Sequence, residues 1–257
     1  MPSLAQLSAV AREAGALALS KWRGDFMSTK KADGSPISEV DHAVDAFLKT
    51  ALRDLDPHAG WLSEETADSA ERLLTPRVWV VDPIDGTRDF INGRPGWAIS
   101  IAYAEGGCVT LGVLDAPAHT EHWAAEIGHG AHRNGERLRC ASRDQLAGAR
   151  VPADMLSAID ADLCLVAKPN SSALRMGMVA AGEADLLASI RWGHEWDVAA
   201  ATLIALESGA AVSDALGHQL RFNSTKGEAF GVLATTQGIH AAAIERLAAR
   251  AAVGIVR

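Results

Sequence analysis

Residues 77–90 read Arg77-Val-Trp-Val-Val-Asp82-Pro-Ile-Asp85-Gly-Thr87-Arg-Asp-Phe90. The segment opens as a buried strand and then sets two aspartates around a proline, which is expected to stop the sheet ladder. Side by side at the mouth of a strand, the Asp82 and Asp85 carboxylates raise each other's pKa unless a cation intervenes. A divalent metal is the simplest remedy, and hard oxygen ligands select Mg²⁺, Mn²⁺ or Ca²⁺ over softer ions. Taken alone, the stretch is equally an ordinary strand and turn. Pro-Ile-Asp-Gly is common turn chemistry, with Asp85 capping whatever helix follows Thr87.

Two further acidic elements lie at element ends. Gly60-Trp-Leu-Ser-Glu64-Glu65-Thr66 puts a glutamate pair directly after a short strand-like run, and Gly193-His-Glu-Trp-Asp197-Val-Ala-Ala-Ala puts Asp197 in the first turn of a helix. Each has a plain alternative: a solvated glutamate pair, and an aspartate favoured by the helix dipole. Together, carboxylates that all fall at element ends point to a crevice.

Outward from these motifs the periodicity changes near residues 60 and 150. Residues 3–24 place Leu4, Leu7, Val10, Ala14, Leu17 and Ala18 on one helical face, and 38–55 do the same with Val40, Val44, Phe47, Leu48 and Leu52. Strand-like runs follow at 77–81, 97–104 and 108–116, the last two separated by Glu105-Gly-Gly107 as in a hairpin. After about residue 150 strand and helix alternate: strand 163–168, helix 172–184, strand 185–190, helix 196–210 ending at Gly209, then the strand Ala229-Phe-Gly-Val-Leu-Ala-Thr235 and a terminal helix. The expected organisation is an α+β half, 1–150, that carries the Glu-Glu and Asp-Pro-Ile-Asp-Gly-Thr motifs. An α/β half, 151–257, carries the Trp-Asp motif as a sheet covered by helices.

Composition bounds the function. At 257 residues and 48% hydrophobic the chain can bury a substantial core, and a net charge of −8 with no basic run argues against long nucleic acid as a partner. No apolar run is long enough to cross a membrane, and the first residues lack the pattern of a secretion signal. Cys108, Cys140 and Cys164 are odd in number and dispersed, which fits free thiols in a reducing compartment, so a cytoplasmic location is expected.

The segments Trp79-Val-Val-Asp-Pro-Ile-Asp-Gly-Thr-Arg-Asp-Phe90 and Trp196-Asp-Val-Ala-Ala-Ala-Thr-Leu-Ile-Ala-Leu-Glu-Ser-Gly-Ala210 resemble the two signature stretches of the inositol monophosphatase superfamily of metal-dependent phosphomonoesterases. Ser63-Glu-Glu65 and Ser35-Pro-Ile-Ser-Glu-Val-Asp41 resemble that family's other acidic elements, in the same order, and the similarity runs from about Lys31 to the end of the chain. The resemblance implies an α/β fold, a layered α-β-α-β-α sandwich of the inositol monophosphatase and sugar phosphatase type. It also implies two or three Mg²⁺ ions for which Mn²⁺ can substitute, a small phosphorylated metabolite as substrate, and a homodimer.

Carried over by position, Glu64, Asp82 and the Ile84 carbonyl would hold one Mg²⁺, and Asp82, Asp85 and Asp197 a second. Thr87 and Asp41 would orient and deprotonate the attacking water, and Glu65 would act through water beside the first metal. Gly86 lets the backbone approach the phosphate, toward which the Gly86 and Thr87 amides would point. Ser38 stands where relatives often carry threonine.

Lys31 resembles a family lysine on a mobile loop and is equally an ordinary solvated lysine. His194 reads as a packing or supporting histidine, and Trp79 and Trp196 as core. The family's inositol-specific members commonly read Asp-Gly-Thr-Thr-Asn-Phe and carry a glutamate on the strand before the last metal aspartate, where this chain has Leu186-Leu-Ala-Ser-Ile-Arg-Trp-Gly-His194, without a carboxylate. The Asp-Gly-Thr-Arg-Asp-Phe form resembles instead the 3′(2′),5′-bisphosphate nucleotidase branch. Arg88 and Arg191 are therefore candidates for a second phosphate, although both are equally surface arginines. Inositol 1-phosphate, histidinol phosphate and sugar bisphosphates remain alternatives, as does a catalytically silent phosphate-binding regulator.

Overall fold

The computed structural model describes residues 1–255. Its first half runs α1 (Leu4–Lys21), β1 (Ser28–Lys30), β2 (Pro36–Ser38), α2 (Glu39–Leu55), β3 (Gly60–Ser63), β4 (Arg77–Asp85), α3 (Thr87–Ile91), β5 (Ala98–Glu105), β6 (Cys108–Ala116), β7 (Glu121–Glu126), β8 (Gly130–Arg133) and β9 (Glu136–Arg137). The rest is β10 (Arg150–Pro152), β11 (Cys164–Val166), α4 (Ser172–Ala180), β12 (Leu186–His194), α5 (Ala199–Glu207), β13 (Ala211–Ser213), β14 (Glu228–Thr235) and α6 (His240–Gly254).

Strand β4 is apolar without alternation because both of its faces are covered. Val78 and Val80 belong to an apolar cluster with Ala201, Leu203 and Ile204 of α5, while Trp79 and Val81 join Leu7 of α1 and Val44, Leu48 and Leu52 of α2. A seven-stranded sheet, ordered β3-β4-β5-β6-β7-β8-β9, lies between α5 on one face and α1 and α2 on the other, antiparallel except where β3 runs parallel to β4. A second, antiparallel sheet, β12-β14-β13, packs against α4 and α5 on one side and α6 on the other. The expected α-β-α-β-α sandwich is the observed one. Residues on both sides of position 150 build the cluster around α5.

The composition of α5 follows from its place. Every residue from Ala199 to Ala205 is buried, so the helix carries no polar stripe. It lies so close to β6 that a Cβ at Gly112 would stand 2.7 Å from the carbonyl oxygen of Ala200.

Pro83 does not end the strand. Asp82 pairs with Ser100 and Asp85 with Ala98, so β4 spends three steps where β5 spends two, and the extra residue is a bulge that accommodates the proline. The strand therefore carries both aspartates. Two other expected elements are shorter: the strand at 163–168 is confined to 164–166, paired in parallel with β10, and the helix at 172–184 stops at Ala180.

Gly112→Ala should crowd α5 off the sheet and lower stability by about 1–3 kcal/mol. Thermal denaturation checks this; an unchanged Tm would mean that α5 can retreat from β6 freely.

Candidate metal centre and active site

The bulge turns the end of β4 into a platform. Asp82 is buried, and its Oδ1 accepts the Ile84 N–H at 3.0 Å. Asp85 is also buried and is held by the start of α4: Ser171 Oγ donates at 2.5 Å, Ala173 N at 2.7 Å and Ser172 N at 3.2 Å. Gly86 follows with φ +98°, where a Cβ would lie 2.6 Å from the Gly96 carbonyl oxygen, so no larger residue fits this turn. Helix α3 starts at Thr87 with Gly86 as its N-cap and no side-chain cap, so Asp85 does not cap it as the turn reading had it; its carboxylate is taken up by the start of α4 instead.

Asp197 reaches the platform from the other sheet. It lies in the turn between β12 and α5, two residues before the helix, and not in the first turn as expected. The difference is physical: residues 195–198 still bend the chain out of β12, and Asp197 accepts the His194 N–H at 3.4 Å. Carboxylate oxygens of Asp82, Asp85 and Asp197 all lie within 4.8 Å of one another.

Beside this cluster stands a hydroxyl-carboxylate pair. Ser38 and Asp41 form a capping box at the start of α2, in which Ser38 Oγ and N both donate to Asp41 Oδ2. That leaves Asp41 Oδ1 to accept Thr87 Oγ1 at 3.0 Å, and Thr87 Oγ1 is also 3.0 Å from the Ile84 carbonyl oxygen. Glu64 and Glu65 follow β3, with Glu64 N donating to Val81 O at 3.3 Å. Both glutamates meet Lys31, whose Nζ donates to Glu64 Oε1 at 2.7 Å and to Glu65 Oε1 at 2.8 Å. The lysine whose sequence reading was open is thus the cation closest to this pair.

The electrostatics are those of crowded anions. Burial, then Glu64, Asp85, Asp197 and Asp41, push Asp82 well above the usual carboxylate range. Burial raises Asp85 to about 6 against the hydrogen bonds from α4, and burial with Asp85 and Glu64 raises Asp197 to about 8. Burial also lifts Glu65 to about 7 despite Lys31, and lifts Asp41 against its bonds from Ser38 and Thr87. Burial works against the Lys31 charge, but the two glutamates outweigh it and hold the ammonium above its ordinary range.

A cavity of about 530 Å³ opens over Asp197. Leu187, Ile190 and Val232 give it an apolar floor, and Arg175 and Arg191 its positive charge. Arg175 is anchored, its Nε donating to Pro169 O at 3.1 Å and its Nη2 to Asn170 O at 2.6 Å. Arg88 does not line this cavity. Successive helical residues turn by about 100°, so with Thr87 facing inward Arg88 faces solvent. Trp79 is core, whereas Trp196 is half-buried and stacks on exposed His194 at 4.3 Å between ring centroids. Sequence reasoning passed over Ser171 and Arg175; the Ser-Ser pair ahead of an apolar helix was a visible cap signal for the first.

Two buried aspartates and the half-buried Asp197, with no lysine or arginine among them, beside a backbone carbonyl and a glutamate, are a donor set that fits a hard divalent cation. Fold and site together define a metal-dependent phosphomonoester hydrolase. The profile described as "Inositol monophosphatase family" matches residues 2–253, and the chain belongs to that family.

Among its relatives, "Fructose-1,6-bisphosphatase/inositol-1-monophosphatase" of Thermotoga maritima is 32% identical, over 81% of this chain and 83% of its own. "Inositol-1-monophosphatase" of Mycobacterium bovis is 36% identical over 71% and 70%, and "Nus factor SuhB" of Pseudomonas aeruginosa 33% over 80% and 83%. The solved structure of a Thermotoga maritima IMPase superposes with a TM-score of 0.81 over 94% of this chain and 95% of its own, at 27% identity. Among the described residues no helix is long and apolar enough to cross a membrane.

A carboxyl whose pKa is raised by folding binds its proton more tightly in the folded state. The stability it contributes is full below the unfolded value of about 4 and is lost as pH rises through the folded value. For Asp85 and Asp197 that loss runs up to about 6 and about 8. Divalent cations need the ionised carboxylates. Saturating Mg²⁺ should therefore raise the Tm more at about pH 8 than at about pH 5; equal increments would show that these aspartates do not take up the ion.

Proposed function

We propose that this chain releases phosphate from a small phosphomonoester carrying a second anionic group, the 3′-phosphate of 3′-phosphoadenosine 5′-phosphate being the substrate of choice. The observation that carries the chemistry is the convergence of Asp82, Asp85 and Asp197 within 4.8 Å, with the Asp41–Thr87 pair beside them. In this reading Glu64, Asp82 and the Ile84 carbonyl hold one divalent ion, and Asp82, Asp85 and Asp197 another, with Mg²⁺ replaceable by Mn²⁺. When bound, such ions neutralise the phosphate, acidify water and stabilise the leaving alkoxide.

The chain's own residues do the rest. Thr87 Oγ1 orients the attacking water, and Asp41 Oδ1, lifted by burial, takes its proton. Glu65, with a pKa near neutrality, moves protons beside it. Gly86 keeps the backbone close enough for the phosphate to reach the amides that open α3.

For the leaving group, Arg175 and Arg191 line the cavity and support a second anion, and the Arg175 charge also acts on Asp85 and Asp197, opposing the rise of both. Arg88 contributes at most from outside the cavity. The apolar floor suits a purine better than a cyclitol studded with hydroxyls. Inositol 1-phosphate is the second reading, favoured by the activities in the relatives' names. A silent regulator would have no chemical need for Asp41, Thr87 and all four ligand carboxylates together. A cytoplasmic homodimer completes the proposal, supported by the family resemblance and by three free thiols.

Asp82→Asn should remove most activity and leave the fold intact, and near-normal turnover with Mg²⁺ would defeat the two-ion reading. Thr87→Ala should lower kcat more than it weakens metal binding; the reverse pattern would make Thr87 a structural residue. On one preparation, kcat/KM for 3′-phosphoadenosine 5′-phosphate should exceed that for inositol 1-phosphate and histidinol phosphate. Arg175→Ala should erase the lead, about tenfold or more for a desolvated guanidinium contact. A lead for inositol 1-phosphate would contradict the second-anion assignment.

A further inference from the structure

Asp45 lies one helical turn beyond Asp41 on α2 and is 7% exposed, yet no lysine, arginine or histidine pairs with it among the described residues. Lys49, a further turn along, is directed instead over the Trp61 ring, 5.9 Å from its centroid. Two hydroxyls satisfy the Asp45 carboxylate. Ser63 Oγ donates to Oδ1 at 2.5 Å, and Thr66 Oγ1 donates to Oδ2 at 2.6 Å. Those hydroxyls flank Glu64 and Glu65 on either side.

An ionised carboxylate buried without a cation is unfavourable, and a residue needed only to fill space would be apolar. A carboxylate accepts from both hydroxyls through charge-assisted bonds about twice as strong as neutral ones, whereas an amide could accept only with its oxygen and would have to meet the other hydroxyl as a weaker N–H donor. The turn 63–66 is thereby fastened at both ends to the helix that also carries Asp41. Glu64 N reaches back to Val81 O, next to Asp82. Lys31 draws on the Glu64 and Glu65 carboxylates through its ammonium. With its ends free, the turn would follow Lys31.

We propose that Asp45 is a positioning residue that holds Glu64 and Glu65 toward Asp82 by clamping Ser63 and Thr66, and so sets the affinity of the Glu64 side of the site for its divalent ion. The proposal rests on the metal-centre reading above. It assigns to Asp45 no contact with ion or substrate.

Calorimetric titration of the full chain with Mg²⁺ alone tests it. Asp45→Asn should weaken Mg²⁺ binding about 10-fold or more, as losing an outer partner of a ligand does. The Tm of the metal-free protein should change little, and kcat should recover at saturating Mg²⁺. The double variant Ser63→Ala with Thr66→Val keeps the Asp45 charge and should weaken Mg²⁺ in the same direction. Asp54→Asn removes one exposed charge from the same helix and should leave the affinity unchanged.

Wild-type affinity in Asp45→Asn overturns the proposal. So does weakening in Asp45→Asn that the double variant does not share, because the charge alone would then be responsible. If Asp45→Asn fails to fold, the double variant decides by itself. A wild-type protein that takes up no Mg²⁺ would defeat the metal-centre reading before any variant is compared, which separates the two failures.

Discussion

Four of the five layers of this protein converge on one unfavourable fact, that three aspartates, two of them buried and Asp197 half-buried, stand within reach of one another. Asp82 and Asp85 are fixed by a strand that continues through a proline bulge, and Asp197 arrives from a turn leading into a helix sandwiched between two sheets. Left without a cation, the arrangement opposes its own charge, as the raised pKa values of Asp82, Asp85 and Asp197 record. The scaffold is what sustains it. The α4 N-terminus grips Asp85, the α2 capping box orients Asp41, and α5 seats against Gly112 so that the turn before it can deliver Asp197.

The same crowding reconciles an acidic chain with an anionic substrate. Net charge describes the long-range field, whereas phosphate is met at a site where bound cations are the largest local charges. Beyond them the cavity turns from carboxylate to guanidinium, with Arg175 anchored on two backbone carbonyls. In the proposed reading a leaving group is met by these arginines and the reacting phosphate by the carboxylate-held ions, which is how one fold can serve several phosphomonoesters.

Much of this was legible in the sequence because it is local. The apolar run 78–81 announced a buried strand, the helical faces read in 3–24 and 38–55 announced two helices, and the acidic motifs appeared in family order. What escaped was set by long-range pairing. Whether Pro83 ends β4 depends on the register of β5, and whether Asp197 lies inside α5 depends on how β12 releases the chain. Arg88 was read from its motif, but the rotation of α3 decides where it points. Arg175 and Asp45 carry no motif at all; their roles exist only because residues 169–170 and 63–66 come to meet them.

The central claim is that these carboxylates are one divalent-ion centre with Asp82 shared between ions. Anomalous diffraction from crystals soaked in Mn²⁺ tests it most directly. The account predicts two peaks, both ligated by Asp82, one also by Glu64 and the Ile84 carbonyl, the other by Asp85 and Asp197. Peaks confined to surface carboxylates, with none at Asp82, would contradict it.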